Sequence, residues 1–321
     1  MKLFNLISVA SAIIAVNAHA NVFPKHMVGD FTSITSKVTS EISAPNTLQP
    51  MITSSVTGSH EMAYYGGPVI SHVQIYLILW GDQVSQNTQS EMPGFYSSMV
   101  NSSYMDFLKI YNTTNVKVEG GTHASTDQTV GRGSFMQTIQ ISPVKLRGKI
   151  DDAEIQAELE KQILAGKIPA VTPDSLFMIH FPKGLSITMH DGNSVATSCV
   201  QFCAYHNGFK TATGTSVYYG VIPNLDGFMC RLGCGGFFSS ALTRATVSAS
   251  HEMMEAITDP FPTPGNTPGY PQAWNTKDGA EIGDLCQGSN GTLKGGAKDY
   301  IVQQEWDQSH SACTTGDYVS K

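Results

Sequence analysis

The residues best spaced for chemistry lie in Ser248-Ala249-Ser250-His251-Glu252-Met253-Met254-Glu255-Ala256-Ile257-Thr258-Asp259-Pro260. The stretch reads as a helix that carries a histidine and three acids and is stopped by the proline. Positions i and i+4 stack on one helical face, so His251 and Glu255 converge on one point. Glu252 sits one step round and reaches a water held there. Zinc hydrolases use this geometry: two ligands at i and i+4, with a general base beside the first. Their usual H-E-x-x-H becomes H-E-x-x-E here. A carboxylate ligand is harder than imidazole, so calcium competes with zinc as the expected ion. The competing structural reading solvates Glu252 and Glu255 and turns Met253, Met254 and Ile257 to the core.

Such a helix needs a third ligand from a later segment, with a further position left for water. Gly279-Ala280-Glu281-Ile282-Gly283-Asp284-Leu285-Cys286 supplies two candidates, Glu281 and Asp284. Glu252 would take a proton from a water that the metal acidifies. A donor for the developing oxyanion would come from Tyr205 or His206, held rigid by the neighbouring cysteines. His72 and His180 read as strand histidines rather than ligands. Two or three carboxylates with one imidazole weaken the Lewis acidity of a zinc ion. A non-catalytic secreted protein, binding glycans or a cell surface, is therefore the second reading.

The chain around these residues has 321 positions, enough for a full core. Only 14% are charged, and the net charge of −7, without a basic patch, argues against a nucleic-acid partner. Lys2, an apolar run from Leu3 to Val16 and Ala18-His19-Ala20 form a signal-peptide pattern over residues 1–20. No later apolar run is long enough to cross a bilayer. The expected location is periplasmic or extracellular. Residues 21–60, rich in Ser, Thr, Asn and Pro, read as a mobile arm, and 61–321 as one domain.

All six cysteines, at 199, 203, 230, 234, 286 and 313, fall in the second half. In an exported chain an even number reads as disulfides. Proximity pairs Cys199 with Cys203, Cys230 with Cys234 and Cys286 with Cys313, although six cysteines allow about fifteen connectivities. A zinc site from the two C-x3-C pairs is the rival reading, which export disfavours.

Buried strands are expected over Val69–Trp80, Ser134–Ser142, Leu176–Phe181 and Ser216–Ile222. One or two amphipathic helices fit 87–111, and a clear helix runs from Asp151 to Ala165 before Gly166. Strands alternate with helices, so the expected fold class is α/β: a mixed sheet flanked by helices, disulfide-stabilised, with a zincin-like metal-site helix.

An ordered set of these features resembles the phosphate-induced, or EXORDIUM, family of secreted proteins. It comprises His251-Glu252-x-x-Glu255, Asp259-Pro260, Trp274, Glu281 to Cys286, Cys199 to His206, the pair Cys230 and Cys234, and Gly66-Gly67-Pro68 with the strand to Trp80-Gly81. The likeness spans roughly 64–313. It implies a secreted, zinc-peptidase-like domain but no particular substrate; a peptide, cell-surface or cell-wall substrate is the expected partner. Asp259 stands where plant members tend to carry Asn, so it is not counted among the ligands.

Overall fold

Gln74-Ile75-Tyr76-Leu77-Ile78-Leu79-Trp80 is apolar at odd and even positions alike, the pattern of a strand covered on both faces. In the computed structural model this strand lies inside a mixed sheet, and the two parities feed two separate cores. The structure describes residues 27–28, 60–121, 123–191, 194–235, 239–262, 267–294 and 298–317. The signal-peptide reading of 1–20 lies outside them, as does nearly all of the proposed 21–60 arm.

In chain order the first elements are β1 (Met27–Val28), β2 (Met62–Tyr64), β3 (Gln74–Trp80), α1 (Gln86–Val100) and α2 (Ser103–Asp106). After a 3-10 turn over Phe107–Tyr111 come β4 (Ser134–Ile141), β5 (Gly148–Asp151), α3 (Asp152–Leu164) and β6 (Ser175–His180). Then follow β7 (Leu185–Asp191), β8 (Ser194–Thr197), β9 (Ala204–Lys210), β10 (Ser216–Ile222), α4 (Phe228–Gly233) and α5 (Ala241–Thr258). The last part holds β11 (Trp274–Thr276), β12 (Asn290–Leu293), β13 (Tyr300–Gln303), β14 (Glu305–Asp307) and β15 (Ala312–Thr314).

The main sheet has the order β1-β9-β10-β6-β3-β4. Strands β10, β6, β3 and β4 are parallel; β9 and β1 join antiparallel at one edge. The chain is therefore mixed α/β, as expected. Ile75, Leu77, Leu79, Leu176 and Met178 face a core shared with α1 and α5. Tyr76, Ile78, Trp80, Phe177 and Ile179 face a second core with Ile155 and Leu159 of α3 and Ile187 of β7. The second core is closed by a small sheet, β5-β7-β8.

Local signals explain the helix ends. Asp151 caps α3 in a reciprocal capping box with Glu154, and Gly166 follows the helix at φ 68°. Ser240 caps α5 by accepting from Thr243 N at 2.9 Å. Pro93 sits inside α1, where burial of Met92, Phe95, Tyr96 and Met99 holds the helix together. His72 is a correction: it is exposed and precedes β3, since the strand begins at Gln74 and not at Val69. Met27 and Val28, within the stretch read as an arm, pair with Tyr205 and Ala204.

The cysteine pairing corrects two of the three bonds expected from proximity. The bonds are Cys199–Cys230, Cys203–Cys234 and Cys286–Cys313. Cys230 and Cys234 lie on one side of α4, four residues apart, so both point across to the loop before β9 rather than at each other. Every cysteine is bonded, which leaves none for a zinc site. Loops of 31, 31 and 27 residues are closed, worth about 3–4 kcal/mol each by chain entropy. Three such bonds fit an extracellular or otherwise oxidising compartment. Among the described residues no helix is long and apolar enough to cross a membrane.

Candidate metal centre

The i and i+4 spacing does what helical geometry requires. His251 Nε2 lies 3.0 Å from Glu255 Oε2, both fully buried. Helix α5 is covered by β9 and β10 on one side and by β13 on another, so its polar face is enclosed instead of solvated. That excludes the structural reading in which Glu252 and Glu255 face water.

Strand alternation decides between Tyr205 and His206. His206 points to the α5 side, with Nδ1 at 3.2 Å from Glu252 Oε2 and 3.7 Å from Glu255 Oε2. Its Nε2 lies 3.1 Å from the Asp259 carbonyl and 3.5 Å from Glu281 Oε1. Tyr205 points to the opposite face and donates to Asp152 Oδ1 at 2.6 Å. It is thus remote from the helix that carries His251, and consecutive strand residues cannot share a face. The positions of His206 Nδ1 and Nε2 make it a partner that orients Glu252, not an oxyanion donor waiting for substrate.

The turn after β11 brings in the later acids. Glu255 Oε1 accepts from Gly283 N and Asp284 N, both at 3.1 Å. Asp284 Oδ2 accepts from Glu281 N at 3.0 Å, which folds the turn onto itself. Gly283 is required here: a Cβ at that position would lie 2.6 Å from His251 Nδ1 and 2.8 Å from Glu305 Oε2. Cys286–Cys313 fastens this turn to β15. Asp259 has both oxygens occupied, by Ala273 N at 2.8 Å and Asn275 Nδ2 at 2.6 Å, in keeping with its omission from the ligand set.

Three participants were absent from the sequence reading. Gln303, at the end of β13, places Nε2 2.6 Å from His251 Nδ1 and donates to the Gly283 carbonyl at 2.8 Å. Because Gly283 O only accepts, Gln303 is the donor to Nδ1, and the ring proton sits on Nε2. For His251 to offer Nε2 to a cation, the Gln303 amide must turn its oxygen to Nδ1. Glu305 reaches in from β14 and accepts from the Tyr104 hydroxyl at 2.9 Å through Oε1. No short motif announces these residues: Gln303 lies 52 positions beyond His251, Glu305 follows it, and Tyr104 comes long before the helix.

The electrostatics of the cluster are unusual. Burial pushes the carboxyls of Glu252, Glu255, Glu281 and Glu305 well above the ordinary range, and neighbouring acids add to the shift for all four, those of Glu281 being Asp259 and Asp284. Asp259 is pushed up to about 6, again by burial. His251 is pushed down to about 4 by burial. Burial also works to lower His206, but its bond to Glu252 and the charges of Glu255 and Asp259 outweigh it and raise the imidazole. Glu252, Glu255 and Glu281 have histidine as their ion-pair partner, His206 for all three and His251 also for Glu255.

Four buried carboxylate oxygens have no hydrogen-bond partner: Glu252 Oε1, Glu255 Oε2, Glu281 Oε1 and Glu305 Oε2. His251 Nε2, although 3.0 Å from Glu255 Oε2, lacks hydrogen-bond geometry as well. Leaving such groups bare is costly. Two trios of donor atoms lie within 4.8 Å of one another: His206, Glu255 and Glu281, and His251, Glu255 and Asp284. A buried histidine and carboxylate group of this kind can hold a metal ion, and its donor atoms fit one. A surface hollow of about 370 Å³ beside Tyr65, Glu119, Tyr270 and Lys277 takes no residue from this cluster.

No family model, curated protein or solved structure matches this chain.

Proposed function

We propose that the chain is a secreted metal-dependent hydrolase of the zincin-like kind, related to the EXORDIUM family, with peptides as the first substrate class. The observation that carries the reading is the set of bare, fully buried donor atoms around Glu255. Glu255, His251 and the acids at 281 and 284 would hold the ion, with zinc the first choice and calcium the alternative. A bound ion supplies Lewis acidity, polarising a carbonyl and making water a better acid.

The chain's own groups do the rest. His206 grips Glu252 Oε2 and leaves Oε1 pointing inward without a partner, the arrangement of a base whose second oxygen is ready for a proton. Backbone amides of Gly283 and Asp284 fix Glu255 Oε1, so only Oε2 is free to bind. Disulfides Cys199–Cys230 and Cys203–Cys234 anchor the loop that leads into His206.

A second reading has one observation in its favour: His206, His251, Glu252 and Glu255 are wholly enclosed. An ion there would lock α5 to the C-terminal strands without reacting with anything, as in a non-catalytic glycan- or surface-binding protein. Glu252→Gln separates the two. The hydrolase reading expects the variant to retain its metal and to lose cleavage of a fluorogenic peptide library by about 10²-fold or more. Cleavage equal to wild type in a metal-loaded variant would remove Glu252 as the base.

A further inference from the structure

We infer that the centre takes two divalent cations rather than one, bridged by Glu255. The inference deepens the metal-centre reading and rests on it. Its first support is the division of the donors. His251, Glu255 and Asp284 form one trio and His206, Glu255 and Glu281 another, each within 4.8 Å, with only Glu255 in common. Donors bound to one ion at roughly 2.0–2.4 Å are at most about 4.8 Å apart. The five residues do not form a single group on that criterion, so one coordination sphere does not gather them all.

The second support is the state of the shared residue. Glu255 Oε1 is held by the amides of Gly283 and Asp284, which leaves Oε2 as the sole bridging atom. That oxygen is 3.0 Å from His251 Nε2 and 3.7 Å from His206 Nδ1, one imidazole on each side, and it has no hydrogen-bond partner. Carboxylate-bridged pairs of ions sit about 3.5–4 Å apart, a spacing that a single bridging oxygen sets.

Each imidazole has a second nitrogen with a neighbour suited to a ligand. His206 Nε2 faces the Asp259 carbonyl at 3.1 Å, the usual outer contact of a metal-bound histidine, and Nδ1 would exchange its 3.2 Å contact with Glu252 Oε2 for the ion. His251 Nδ1 has Gln303 at 2.6 Å, whose amide takes the same role once it turns its oxygen to the ring. In the ion-loaded centre His206 thus serves as a ligand, and Glu252 keeps its inward oxygen for the proton.

Metal counting tests the inference on the full mature chain. The protein is stripped with chelator, dialysed to equilibrium against zinc, and assayed for zinc per chain by plasma mass spectrometry. Two ions are expected in the wild type, one in Asp284→Asn, one in Glu281→Gln, and binding weakened at least 100-fold in Glu255→Gln. Circular dichroism checks that each variant is folded, and the wild-type count stands without them. A single zinc in the wild type overturns the two-ion centre and leaves the metal reading intact. No zinc in the wild type overturns both.

Discussion

The two faces of the main sheet each bury acids, and they treat them in opposite ways. On the α3 face Asp152 accepts from Tyr205 at 2.6 Å, Tyr219 at 2.7 Å, Gln156 at 2.9 Å and Asn207 at 3.1 Å. Burial raises its carboxyl and those four bonds oppose the rise. On the α5 face four carboxylate oxygens have no donor, and burial and the neighbouring acids raise Glu252 and Glu255 together, against His206 and, for Glu255, two backbone amides. A saturated buried carboxylate is a structural device. A bare cluster of this kind could hold a positive ion.

The largest expected effect falls on the saturated face. Asp152→Ala leaves two tyrosine hydroxyls and two amides without their acceptor in the interior. The expected loss is about 3–5 kcal/mol of unfolding free energy, read by urea denaturation and unchanged by added zinc. On the other face Glu255→Gln removes one repelling charge. Its metal-free stability should equal or exceed that of the wild type, while the gain on adding zinc, about 2.7 kcal/mol at a hundredfold excess over Kd, disappears. Equal behaviour of the two variants would break the contrast.

A smaller effect sharpens it through pH. The carboxyls of Glu252, Glu255, Glu281 and Glu305 titrate higher in the folded chain than unfolded, so the folded state binds protons that the unfolded state does not. Stability is then fully present below the unfolded value and lost as pH rises through the folded ones. Metal-free protein should therefore gain stability from pH 8 towards 6.5, by up to about 1.4 kcal/mol per unit for each group titrating in that window. Zinc should flatten the gain. Below about 6.5 His180, pushed down to about 3 by burial against Tyr96, works in the other direction. Its folded form refuses a proton that the unfolded chain accepts, so it costs stability as pH falls. The smallest effect belongs to the surface pair Arg132 and Asp106, whose removal should cost under about 1 kcal/mol.

What the sequence disclosed follows the range of its signals. The helix, its i and i+4 pair and the strands around Trp80 and Ile179 are set by local periodicity, and they appear nearly where expected. Strand β9 was not among the expected strands, so its alternation, which turns Tyr205 and His206 to opposite faces and joins only one to the helix, was missed. Gln303, Glu305 and Tyr104 were not legible, because only the tertiary fold brings β13, β14 and α2 to the centre. The crossed cysteine bonds were hidden for the same reason. Four-residue spacing in both pairs permits a ladder as readily as two small loops.

The most direct test of the central claim is an anomalous difference map from crystals of zinc-loaded protein, collected just above the zinc absorption edge. The account expects density in contact with Glu255 Oε2, between the His251 and His206 rings. A map with no peak there, or with zinc only at surface histidines, would contradict it.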